Sequence, residues 1–187
     1  MAVHNERYSM NRNQSKNLSL DLTHAPAVLY FYGLAGVGKS FVGDLVGKHT
    51  GWPVYHADSD LTDEMKQAIA EKKSFTPAMR DRYFAIVAER ILELRRMHLH
   101  LIVTQATYKA EHRNFLMTKI PDMALILVTA APDIIVDRLR ARGDAVTPEY
   151  AATMAKNFES PPSSAKCIKN EGGEVEILSQ LAQMYGK

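Results

Sequence analysis

The chain has 187 residues, of which 46% are hydrophobic and 24% charged, and a formal net charge of +2. That length suits one domain with a sizeable core, and the weak charge without a dense Lys/Arg run excludes a nucleic-acid-binding footprint. No apolar run reaches membrane-spanning length, the N-terminus lacks the apolar core of a signal peptide, and the single Cys167 excludes an internal disulfide framework. A cytoplasmic protein with no nucleic-acid or membrane partner is expected.

Residues 1–25 are polar and read as a flexible N-terminal arm, with a short helix near Leu18 to Leu22; the folded domain is expected over 26–187. Ala27 to Tyr32 is a strand, and Phe41 to Lys48 continues a helix that starts near Lys39. Val54 to Ala57 is a second strand, ended by Asp58-Ser59-Asp60. Leu61 to Lys72 is helical, with Asp60 or Thr62 as its cap. The apolar spacing of Met79, Tyr83, Ile86, Val87, Ile91 and Leu94 predicts a helix over Pro77 to Met97. Leu99 to Thr104 is the third strand, Lys109 to Lys119 a helix, and Met123 to Thr129 a strand buried on both faces. Pro132 to Arg142 and Pro148 to Phe158 are helices, Ser164 to Lys169 is a weak fifth strand, and Glu174 to Tyr185 is the last helix. Strands alternating with helices predict an α/β fold, a five-stranded parallel sheet with helices on both faces and a small lid; with G-x-x-x-x-G-K-S at Gly33 to Ser40 after the first strand, it is the P-loop NTPase arrangement.

Gly33-Leu34-Ala35-Gly36-Val37-Gly38-Lys39-Ser40 reads G-x-x-x-x-G-K-S between a strand and a helix, the context of a phosphate-binding P-loop. Its glycines let several backbone N–H groups converge on phosphate oxygens, and the helix continuing through Phe41 adds the positive end of its dipole. Lys39 would reach the β- and γ-phosphates and Ser40 would ligate Mg²⁺, so ATP and Mg²⁺ are the expected cofactors.

Ligands of such sheets sit at the carboxyl ends of the strands. The P-loop, Asp58-Ser59-Asp60 and Thr104-Gln105-Ala106-Thr107 should therefore share one cleft. If the backbone at Asp58 and Asp60 stays extended, both carboxylates point the same way. One would hold Mg²⁺ through water and the other would take a proton from an acceptor hydroxyl; alternatively both only cap the next helix. Arg138 and Arg142 share a helical face beside the Gly143 to Thr147 loop, which reads as a lid carrying Arg142 to the phosphates, or else as a solvated helix end. Arg80, and Lys109 with Arg113 at i, i+4, are candidate partners for an anionic substrate.

These motifs resemble the shikimate/gluconate kinase branch of P-loop kinases over most of Val28 to Tyr185. Asp58-Ser59-Asp60 is similar to the Asp-x-Asp that follows the second strand there, and the resemblance implies that Asp58 serves the metal and Asp60 the acceptor. Phe75 to Arg80 looks like the Leu-Thr-Asp-Glu-Asp-Arg stretch of gluconate kinases, with Arg80 aligned. Lys109 and Arg113 fall near the basic positions of the segment after the third strand. Arg138-Leu139-Arg140-Ala141-Arg142 resembles the run into the family's lid, which implies Arg138 near adenine and Arg142 at the phosphates. Asn157-Phe158-Glu159 with Pro161 resembles the segment after the gluconate kinase lid. The chain departs from shikimate kinases in having Gln105-Ala106-Thr107 where they carry three glycines. It departs from gluconate kinases in having Gly143-Asp144-Ala145 for Gly-His-Phe. The resemblance implies ATP-dependent phosphoryl transfer to a hydroxyl of a small anionic polyol or sugar acid; a monomer or a homodimer is expected. The catalytic set would be Lys39, Asp60 and Arg142. A nucleoside or nucleotide kinase, and a non-catalytic nucleotide-binding regulatory module, are the alternatives.

Overall fold

The computed structural model describes residues 20–143 and 146–187. Five strands, β1 (Val28–Tyr32), β2 (Val54–His56), β3 (Leu101–Gln105), β4 (Met123–Thr129) and β5 (Lys166–Lys169), form one parallel sheet in the order β2-β3-β1-β4-β5. The α-helices are α1 (Lys39–Thr50), α2 (Asp63–Ala70), α3 (Pro77–Met97), α4 (Ala110–Lys119), α5 (Pro132–Arg142), α6 (Pro148–Ala155) and α7 (Glu174–Tyr185). The expected α/β architecture is therefore the observed one.

β1 is the centre of the sheet, and Val28 lies in register with both Leu101 and Met123. Its five residues are all buried, because helices cover both faces and each side chain enters one of two cores. Val28, Tyr30 and Tyr32 pack with Met65 of α2, Val87 and Ile91 of α3 and Leu116 of α4. Leu29 and Phe31 face the other way, onto Val42 and Val46 of α1 and Ile177 and Leu181 of α7. Chain order takes β1 to β2 on one side and β3 to β4 on the other, so the carboxyl ends of β1 and β3 flank the point where the winding reverses. A ligand crevice opens at such a point.

Caps fix the helix ends that frame this crevice. The Thr76 hydroxyl accepts from the Met79 N–H at 3.2 Å and Pro77 fills the first turn, so α3 starts where the sequence predicts. Thr62, not Asp60, caps α2, accepting from the Met65 N–H at 3.3 Å. The backbone at Asp58 to Asp60, which would point both carboxylates the same way if extended, is instead a 3₁₀ turn over Ala57–Asp60.

The chain before Pro26 is not uniformly a separate arm. Leu22 is buried in the α1/α7 core, and the His24 N–H donates to the Tyr185 carbonyl at 3.1 Å. Leu20 to Leu22 is not helical, and Leu18 lies outside the described residues. No helix among the described residues is long and apolar enough to cross a membrane.

Candidate active site

The loop from Gly33 to Gly38 joins β1 to α1 at the crevice. Gly38, the residue before α1, has φ 87°, and a Cβ there would stand 2.2 Å from Asn170 Nδ2. Both the left-handed backbone and the close approach require glycine. Ala35, Gly36, Lys39, Ser40 and Phe41 line a cleft of about 840 Å³, a size that suits a small-molecule site. Gly33, Leu34 and Val37 lie behind that surface and shape the loop through their backbone: the Val37 carbonyl accepts from Asn170 Nδ2 at 2.9 Å and from Arg138 at 3.2 Å. The Ala35 N–H donates to the Tyr108 hydroxyl at 3.3 Å, tying the loop to the segment after β3.

Lys39 Nζ donates to the Leu34 carbonyl at 2.9 Å. Burial of the ammonium lowers its pKa to about 8; the Asp58 carboxylate opposes that shift and the Arg142 guanidinium adds to it. Lys39 thus lies within electrostatic reach of both Asp58 and Arg142.

The two aspartates part company. Asp58 lines the cleft, and no hydrogen bond to its carboxylate forms among the described residues. Asp60 does not line it: its Oδ2 accepts from the Tyr55 hydroxyl at 2.8 Å and from Arg90 Nε at 3.3 Å. The same-side geometry expected for the pair depends on an extended backbone, and the 3₁₀ turn removes it. This turn is held by Tyr83 of α3, whose hydroxyl donates to the Ala57 carbonyl at 2.8 Å.

Among the cations, Arg80, Lys109, Arg138 and Arg142 line the cleft. Arg113 does not, which corrects the expectation that it faces a substrate with Lys109. It is buried, with Nη1 donating to the carbonyls of Thr107 and Tyr108 at 3.1 and 3.0 Å and Nη2 to that of Glu159 at 2.7 Å. Its guanidinium also lies over the Tyr32 and Phe158 rings, 5.4 and 5.7 Å from their centres. Lys109, which precedes α4, is paired with Glu159 at 2.9 Å, and Glu159 also accepts from the Ala110 N–H at 2.7 Å. Asn157-Phe158-Glu159 thus clamps the loop after β3. Arg138 Nη2 donates to the Asn170 carbonyl at 3.0 Å, which leaves its guanidinium fixed against the P-loop. Of the expected lid, residues 144–145 lie outside the described residues; Val146 and α6 residues Tyr150 and Met154 line the cleft.

Sequence reasoning missed Asn170, the residue after β5, although the strand-end rule that selects Asp58 and Gln105 also selects it. It missed Met65, Phe75 and Phe84 as cleft residues, because at helical or loop positions they carry no signal that separates cleft wall from core. His112 also lines the cleft, stacked on Phe84 with ring centres 4.5 Å apart, and its Nε2 meets Asp81 at 2.9 Å.

The shikimate kinase family model matches residues 35–167, more than half of the chain. The chain belongs to the shikimate kinase family. Asp58, Arg80, Lys109, Arg113, Arg138 and Arg142 fall within the matched span, and Asn170 lies beyond it. Solved structures share the fold at low identity. A gluconokinase from Sinorhizobium meliloti 1021 is 20% identical over 86% of this chain and 94% of that chain, with a TM-score of 0.70. A sugar kinase from Janibacter sp. HTCC2649 is 16% identical over 84% and 93%, with a TM-score of 0.73. The APS kinase CysC of Mycobacterium tuberculosis, solved with AMPPNP and APS, is 17% identical over 87% and 99%, with a TM-score of 0.62. No curated protein matches in sequence. Within this shikimate kinase family member, Ser40 and Asp58 each offer an oxygen to the same cleft. Two protein oxygens completed by phosphates and water suit Mg²⁺, so the residues present fit that ion.

Proposed function

We propose that this protein transfers the γ-phosphoryl group of ATP to a hydroxyl of a small anionic acceptor. One observation carries the reading: Lys39, Asp58 and Arg142, three charged groups, line a single cleft together with the P-loop. The P-loop N–H groups and the α1 N-terminus bind the phosphates. Arg138, fixed between the P-loop and Asn170, forms the wall beside the nucleotide. Mg²⁺ would be held by Ser40 and, through water, by Asp58, and would neutralise charge on the phosphate oxygens.

Asp58, rather than Asp60, orients the acceptor hydroxyl and takes its proton, because Asp60 is engaged by Tyr55 and Arg90. As the attacking oxygen bonds to the γ-phosphorus, the bond to the β-phosphate bridging oxygen breaks and ADP leaves. Lys39 and Arg142 stabilise the charge spread over the transferred group, and closure of the stretch from Val146 into α6 excludes water. Arg80 binds the acceptor's anionic group, and Lys109 stands by at the mouth of the cleft with Glu159. The expected polyol or sugar-acid acceptor is carried here only as far as its hydroxyl and its charge.

The test is ATP consumption by the wild-type protein and by Lys39→Ala, each with and without a panel of hydroxy acids. Acceptor-dependent consumption that Lys39→Ala abolishes supports the reading. Tight nucleotide binding with no turnover on any hydroxy acid would favour the non-catalytic module, and turnover on nucleoside monophosphates alone would favour a nucleotide kinase.

A further inference from the structure

We infer that the acceptor is a compact hydroxy acid with an apolar, ring-sized body: one hydroxyl at Asp58, one anionic group at Arg80, and no further polar groups that need partners. This rests on the phosphoryl-transfer reading and narrows its acceptor away from polyols and sugar acids.

The cleft beyond the P-loop is walled by Leu61, Met65, Ile69, Phe75, Phe84 and Met154. Most polar side chains in the same part of the cleft are already bonded within the protein. The Tyr83 hydroxyl donates to the Ala57 carbonyl at 2.8 Å and accepts from Gln105 Nε2, while Gln105 Oε1 accepts from the Ala106 N–H. The Tyr150 hydroxyl donates to the Lys73 carbonyl at 2.8 Å, and Lys109 is paired with Glu159. His112 uses Nε2 on Asp81, and its Nδ1 is buried without a partner. Among the described residues the Asp58 carboxylate and the Arg80 guanidinium line the cleft without a hydrogen-bond partner, and the unpartnered His112 Nδ1 is buried away from it.

These two groups are held in relation to each other. Arg80, Tyr83 and Phe84 stand at i, i+3 and i+4 and share one face of α3. The Tyr83 bond to Ala57 fixes that face beside the residue that precedes Asp58. A ligand therefore meets a carboxylate, an apolar floor and a guanidinium. Each extra hydroxyl of a polyol would give up water without gaining a partner here, whereas an apolar body gains by leaving water. A nucleoside monophosphate carries the anion but also base edges and ribose hydroxyls that this wall leaves unpaired.

Calorimetric binding to the protein saturated with Mg²⁺ and AMPPNP tests this. The probes are 4-(hydroxymethyl)benzoate, 3-(hydroxymethyl)benzoate and 6-hydroxyhexanoate against gluconate, shikimate and thymidine monophosphate. The tightest apolar hydroxy acid should bind about tenfold or more tightly than every polar probe. Arg80→Ala should erase the advantage of 4-(hydroxymethyl)benzoate over the uncharged 1,4-benzenedimethanol, a comparison made within one folded variant. A polar probe that matches the best apolar one overturns the inference, as does failure of all three apolar acids to bind, or an advantage that persists in Arg80→Ala. In each of those cases phosphoryl transfer itself still stands. Failure of AMPPNP to bind the wild-type protein would overturn that reading and this inference with it.

Discussion

Lys39 Nζ donates to the carbonyl of Leu34, a residue of its own loop, at 2.9 Å. The ammonium is thus held in place before any phosphate arrives, and burial has already lowered its pKa to about 8. Bound triphosphate requires the charged form, so binding above that pH takes up a proton. Nucleotide affinity is expected to fall as pH rises past about 8, approaching about tenfold per pH unit for one coupled proton. For folding the sign is opposite. Between about 8 and the unperturbed 10.5 the unfolded chain holds more protons on this lysine than the folded one, so its unfavourable contribution to stability is relieved as pH rises. Calorimetry in buffers of different ionisation enthalpy checks the proton uptake. An affinity flat from pH 7 to about 9.5 would remove Lys39 from the phosphate site.

Asp58 and Asp60 give the sharpest contrast between two similar residues. Asp58→Asn should lower phosphoryl transfer on the order of 10²- to 10⁴-fold, as loss of a catalytic base does, and far more than it lowers nucleotide affinity, which the P-loop, Lys39 and Ser40 still support. Asp60→Asn should leave transfer within about threefold and lower stability instead, since it weakens the bonds from Tyr55 and Arg90. The reverse ranking in steady-state kinetics would return Asp60 to the acceptor.

Arg113 is expected to act through stability. Arg113→Met leaves the carbonyls of Thr107, Tyr108 and Glu159 without their donor and should cost on the order of 2–4 kcal/mol in urea unfolding. Unchanged stability together with lost acceptor binding would place Arg113 back at the substrate.

Closure of the cleft should be visible as hydrogen exchange. Amides from Val146 through α6 should exchange more slowly when nucleotide and acceptor are both bound, because Val146, Tyr150 and Met154 line the cleft. Arg142→Ala should lower turnover while leaving the melting temperature nearly unchanged. Unchanged exchange with normal turnover in Arg142→Ala would reduce this segment to a fixed wall.

Much of the frame was legible because local chemistry and tertiary structure agree in it. Thr76-Pro77 announces the start of α3, the alternating apolar segments announce the parallel sheet, and Gly38-Lys39-Ser40 announces the loop between β1 and α1. The course of the chain at Asp58 to Asp60 was not legible, since the turn there depends on Tyr83, a residue of another element. Arg113 misled for a related reason. An arginine after a strand reads as exposed, yet the loop folds its carbonyls around the guanidinium, and only the tertiary structure reveals those partners. The apolar cleft wall escaped notice because Met65 and Phe84 also serve the core that faces Val28, Tyr30 and Tyr32.

The central claim is that the γ-phosphoryl of ATP passes to an acceptor hydroxyl. Phosphorus NMR of ATP and Mg²⁺ incubated with the protein and a small-molecule extract of its native cell follows that group directly. The expected result is a new phosphomonoester resonance that grows as ADP appears, with wild-type protein and not with Lys39→Ala. ATP left unchanged, or ADP formed with inorganic phosphate as the only other product, would contradict the account.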